Sequence, residues 1–244
     1  MITIKFCHDS TTTRKIMIHF EKQIWKQDYV SNKSRSAWRC SNCGMPLQLE
    51  KEIKKSKRFT GSGILSCSNE NCSTVYHFVG IQIPFANGYE VSSTYYKIDE
   101  YRLYPTQFQL ELHLFKLSEA LSNPIKEKLI LSFNHFWYDL DACANKIRQA
   151  LELILEEMGA SGNTLGHKIE SVESKIGSEL CAKIMALKWI GNEGSHSEKP
   201  FTKEQILTTI ELLVDVLNQL YPDETETMRK REIVKSVNDN KGIK

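Results

Sequence analysis

No stretch of this 244-residue chain is apolar over the roughly 18 residues that a membrane-spanning helix needs, so none of its segments reads as one. The opening MITIKFCHDS lacks the positively charged, apolar, small-residue order of a secretory leader, and no internal repeat is present. A balanced disulfide framework is missing too, because the cysteines number seven, an odd count. A large excess of one charge sign is also absent: 32 Lys/Arg face 30 Asp/Glu. From these absences we expect a cytoplasmic protein with reduced cysteines and no membrane association.

Four of the seven cysteines form a pattern. Cys40-x2-Cys43 and Cys67-x4-Cys72 are separated by 23 residues. A thiolate pair on a tight turn grips half of a tetrahedral zinc, and two such turns joined by a hairpin close the site. The first turn reads RCSNCGM, with Gly44 where the chain curls back, and the second, LSCSNENCS, is rich in turn-favouring Ser and Asn. One structural zinc on Cys40, Cys43, Cys67 and Cys72 is expected, with Trp38 packed over the metal core. Cys7, His8 and His77 are weaker candidates for substitute ligands. Cys143 and Cys181 fall in helical patterns and read as buried small hydrophobes.

The near-zero net charge hides an asymmetry. Residues 1–60 hold 13 Lys/Arg against 5 Asp/Glu, so the remainder of the chain is acidic. Lys51, Lys54, Lys55, Lys57 and Arg58 lie between the cysteine pairs, on the expected tip of the ribbon. Such a patch can neutralise phosphates or simply keep a loop tip solvated.

The class read from these patterns is α+β. Residues 1–104 form a β-rich region that contains the zinc ribbon over about 38–80. ITIKF and TVYHFVGIQIPF have strand composition. Residues 105–221 carry helical periodicity. Pro124 opens one helix, and DACANKIRQALELILEEMG is a second, with Ala144, Ile147, Leu151, Ile154 and Leu155 on one face and Gly159 as its stop. Thr164 and Ser178 are expected N-caps of the next two. Thr202 and Gln205 form a capping box, with Phe201 and Ile206 spaced as a hydrophobic staple. Residues 222–244 read as a polar, flexible tail.

Between the last two helices lies KWIGNEGSHSEKPF. Lys188, Asn192 and His196 fall one helical turn apart if the helix persists, while Gly191 and Gly194 weaken it and permit close approach. The other reading of this segment is a helix C-terminal cap, with Gly194 in a left-handed turn. The runs ACANKIRQALELILEEMG, TLGHKIE and ALKWIGNEGSH, followed by a capped apolar helix, resemble the domain of unknown function 4145, a HEPN-like family, over roughly residues 105–221.

That resemblance implies a helical bundle that often pairs as a homodimer, with the polar segment near the shared face. It also implies a nucleic-acid-related role in defence or RNA metabolism, sometimes with a partner protein of a toxin–antitoxin system. Many HEPN-like proteins are metal-independent ribonucleases with an Arg four to six residues before the His; this chain has none there, and Lys188 lies further back. His196 as base or acid, Asn192 as phosphate orienter, and Lys188 or Arg148 as the cation make up the candidate catalytic set. Glu152 is expected beside Arg148 as an i,i+4 pair. RNA recognition without catalysis, RNA cleavage, and sensing of a nucleotide or small molecule are the three functions this reading carries.

Overall fold

The computed structural model describes residues 18–31, 36–50, 60–85, 100–196, 200–222 and 224–240. The expected ITIKF strand, Cys7, His8 and the basic run from Lys51 to Arg58 lie outside these described residues.

Four strands, β1 (Leu47–Leu49), β2 (Thr60–Cys67), β3 (Val75–Phe85) and β4 (Glu100–Phe108), form an antiparallel meander in sequence order. Seven helices follow: α1 (Asn123–His135), α2 (Leu140–Glu157), α3 (Leu165–Ser171), α4 (Glu173–Ile176), α5 (Ser178–His196), α6 (Lys203–Leu220) and α7 (Glu224–Asn240). The α+β reading is therefore what the chain adopts, strands first and helices after. β4 runs through Phe108, four residues past the expected junction at 104.

Alternation decides which side of the sheet is dry. Leu65 on β2, Tyr76 and Phe78 on β3, and Leu103 and Phe108 on β4 are almost fully buried, while Val79, Ile81 and Ile83 on the other face are about half exposed. β3 is irregular between Val79 and Gly80, where its register with β4 shifts. At Gly80 an added Cβ would collide with the Tyr104 carbonyl, so only glycine fits. Gly80→Ala is expected to cost about 2 kcal/mol or more, read as a fall in denaturation midpoint with the slope unchanged.

Aromatic rings join the buried face to the helices. Trp137, in the turn after α1, has its ring 4.9 Å from Trp38, 5.0 Å from Phe108 and 6.3 Å from Trp25. Phe78 stacks on Phe108 at 5.4 Å. Trp38 was expected over the metal core. Its ring packs edge-on against Phe108 and Trp137, and its Nε1–H donates to the Gln27 carbonyl at 3.1 Å. The segment before the sheet also belongs to this junction. Ile18 exchanges two backbone bonds with the Asn218 side chain of α6, and Lys22 meets Glu204 and Thr208. One continuous core therefore runs from the sheet into the bundle.

The helix signals act as their chemistry requires. Pro124 lies in the first turn of α1, and Asp139 caps α2 by accepting from Ala142 N at 2.9 Å. Gly159 stops α2 with φ +79°, and the Thr164 hydroxyl accepts from His167 N. The Thr202–Gln205 capping box is complete, and Phe201 and Ile206 are both buried. Two expectations change. The segment after Thr164 breaks at Val172 into α3 and α4. Ser178 is the first residue of α5 rather than its cap. Residues 224–240, read as a polar tail, form a helix whose Met228, Ile233 and Val234 are exposed. No described helix is long and apolar enough to cross a membrane.

Candidate metal centre and the α2–α5 face

The two cysteine turns meet at one end of the sheet. The first precedes β1 and is closed by an Arg39–Pro46 bridge, while the second is the β2–β3 turn. Pairing of Leu47 with Cys67 brings them together. Their four Sγ atoms lie within 4.8 Å of one another, with Cys43–Cys67 at 3.3 Å and Cys40–Cys72 at 3.7 Å. A tetrahedral centre with metal–sulfur bonds of about 2.3 Å requires edges of about 3.8 Å. The four thiols thus fit a metal ion with little movement, and none is disulfide-bonded.

The residues around the sulfurs prepare them for charge. Asn69 N donates to Cys67 Sγ and Asn42 Nδ2 to Cys72 Sγ, both at 3.4 Å, and Thr74 Oγ1 lies 3.1 Å from Cys72 Sγ. Such donors stabilise thiolate and orient the ligand. Burial pushes the Cys43 and Cys67 thiols up. Burial acts the same way on Cys72, but hydrogen bonds from Thr74 and its neighbours outweigh it and bring that thiol to about 6. A bound cation would draw the remaining protons off.

The turns share a backbone device. The residue after the second cysteine of each pair is left-handed: Gly44 at φ +77° and Ser73 at φ +51°. Glycine signals the first turn in the sequence, whereas serine hides the second, at a cost of roughly 1 kcal/mol. Cys143 and Cys181 are buried in helices, as expected, and His77 is exposed and outside the cluster.

The second candidate site is on the helices. α5 continues unbroken through GNEGSH to His196, so the segment is neither a turn nor a left-handed cap at Gly194. Lys188, Asn192 and His196 therefore follow one another at one-turn intervals along a helical backbone. Gly191 is buried where α2 crosses α5. A Cβ there would lie 3.0 Å from Arg148 Cβ and 3.2 Å from its Cδ, so the missing side chain makes room for the arginine stem. The Arg148 stem therefore packs on α5 at Gly191.

The Lys188 ammonium lies 3.9 Å from the centre of the Trp189 ring, and Trp189 is 60 % exposed. Arg148, Lys188 and Asn192 are half-buried. Glu152 does not pair with Arg148. It binds Lys168 at 3.1 Å, which Glu156 also holds at 2.6 Å, because Lys168 on α3 faces α2. Sequence reading passed over Trp189; an aromatic on an otherwise polar helix end was its only signal.

An N-terminal antiparallel sheet with a four-cysteine centre, set against a helical region, defines the class of this chain. The family model described as domain of unknown function DUF4145 matches residues 132–240, from within α1 to the end of α7. The cysteine centre lies wholly ahead of that match. No curated protein and no solved structure matches the chain.

Proposed function

We propose that this protein is a HEPN-like recognition or adaptor module for RNA, working in the cytoplasm in defence or RNA metabolism, with zinc as the structural metal. Four thiolates leave no open coordination position, which suits a staple rather than a reaction centre. The observation that carries the reading is the cation–aromatic pair of Lys188 and the exposed Trp189 on α5. A base stacks on an exposed indole while cations meet the phosphates on either side of it. Pairing as a homodimer through the bundle, and capture of a partner protein, belong to the same proposal.

Anisotropy of a labelled single-stranded RNA tests it. Trp189→Ala is expected to weaken binding by about 1–3 kcal/mol, the worth of one stacked base. Lys188→Glu is expected to flatten the dependence of log K on log salt. Unchanged affinity and slope in both variants would contradict the proposal. A ribonuclease reading is favoured by one feature, the unbroken run of α5 that sets His196 one turn beyond Asn192.

A further inference from the structure

Beside the first cysteine turn lies a cleft of about 300 Å³, separate from the α2–α5 face. Cys40, Ser41, Asn42, Cys43 and Gly44 are part of its lining, so the first cysteine turn helps to shape it. Its lining also includes the apolar Ile24, Trp25 and Phe115 and the basic Arg39, Lys116 and His19. Glu21 is the acidic group in the lining, and it is engaged: its carboxylate lies 3.4 Å from His19 Nε2 and 3.8 Å from an Arg39 nitrogen, steadying both at the mouth. His113 is fixed from the opposite side, where its backbone N–H donates to Ser41 Oγ at 2.7 Å. Trp25 is 1 % exposed, and its Nε1–H is buried without a hydrogen-bond partner among the described residues. A buried donor left unpaired costs about 1–3 kcal/mol, and sites that keep one generally have an acceptor to offer it.

We propose that this cleft binds one phosphorylated, ring-bearing unit, a nucleoside monophosphate, with its ring on the apolar part of the lining at Ile24 and its phosphate at Arg39 and Lys116. The volume suits a ligand of that size, at the lower end of small-molecule sites. The same chemistry is offered by a free nucleotide and by one nucleotide of a single strand. Either source places a ligand-sensing pocket directly against the metal turn, so loss of the metal disturbs part of the pocket's lining.

The test is calorimetric titration of the metal-loaded full chain with AMP, GMP, CMP and UMP, with the matching nucleosides, with inorganic phosphate, and with a ten-nucleotide single-stranded RNA. At least one mononucleotide, or the RNA alone if the unit belongs to a strand, is expected to bind. Lys116→Glu and Arg39→Gln are each expected to weaken that binding tenfold or more while far-UV circular dichroism and metal content stay unchanged. For RNA, this loss is measured in the Trp189→Ala background, which removes stacking on the α2–α5 face. Ligand binding is also expected to shift one indole N–H resonance, the one missing from Trp25→Phe. Binding of phosphate alone as tightly as any nucleotide would overturn the ring contact. Failure of every mononucleotide to bind, with no Lys116-dependent RNA binding left in Trp189→Ala, would overturn this site alone, whereas failure of the RNA to bind the wild type would contradict the Trp189 reading as well.

Discussion

Stripping the metal from the four-cysteine centre, or replacing Cys67 with Ser, is expected to unfold the four-stranded sheet. β1 is only three residues long, and the four sulfurs of the turns before β1 and after β2 converge where those turns meet. Structural zinc contributes an apparent ~10–16 kcal/mol at neutral pH, which rivals the ~5–15 kcal/mol that stabilises a whole domain. The helices feel the loss as well, because Trp38 and Phe108 from the sheet region pack on Trp137. We therefore expect one metal equivalent per chain, loss of near-ultraviolet tryptophan dichroism on chelation, and a lowered melting temperature of the remaining helices. Acid should release the metal, since protons compete for the thiolates. A metal-free protein with unchanged near-ultraviolet spectrum and melting temperature would contradict this.

Lys203 carries the second large effect. It is the first residue of α6, and its ammonium lies 5.1 Å from the Phe136 ring centre and 5.8 Å from that of Trp137, bonded to the Gln27 carbonyl at 3.2 Å. Burial lowers its pKa to about 8, with Asp28 opposing only in part. Between pH 8 and the ordinary lysine value of 10.5 the unfolded chain holds the proton more often than the folded one. Stability from this group therefore rises with pH across that window and is constant below it. The shift corresponds to about 3 kcal/mol. Lys203→Met is expected to raise stability at pH 7 by about 2 kcal/mol, the loss of the Gln27 bond and ring contacts absorbing the rest. The gap between variant and wild type should close as pH climbs from 8 to 10.5 in denaturant titrations. A gap that does not narrow would show that Lys203 is already well hydrated.

Both effects show where sequence reading is strong and where it stops. The cysteine spacing anticipated that the four thiols meet, since short covalent turns leave two thiols little freedom. Thr202–Gln205 and the α2 stripe were equally legible, because capping and helical periodicity are local. What escaped was non-local. Nothing within a few residues of Trp38 marks its packing against Trp137, 99 positions away. Lys203 looks like an ordinary surface residue beside its cap. GNEGSH was read as a turn because two glycines weaken an isolated helix; here burial of Gly191 against the Arg148 stem repays that weakness.

The central claim is that the α2–α5 face binds RNA and does not cut it. The most direct test incubates wild type, Trp189→Ala and His196→Ala with a single-stranded RNA in chelator at low salt, following bound fraction and strand ends together. The account predicts intact RNA throughout, full binding by wild type and His196→Ala, and binding weakened by about 1–3 kcal/mol in Trp189→Ala. Cleavage by wild type that leaves cyclic or 3′-phosphate ends, and that vanishes in His196→Ala, would contradict it and make the chain a metal-independent ribonuclease.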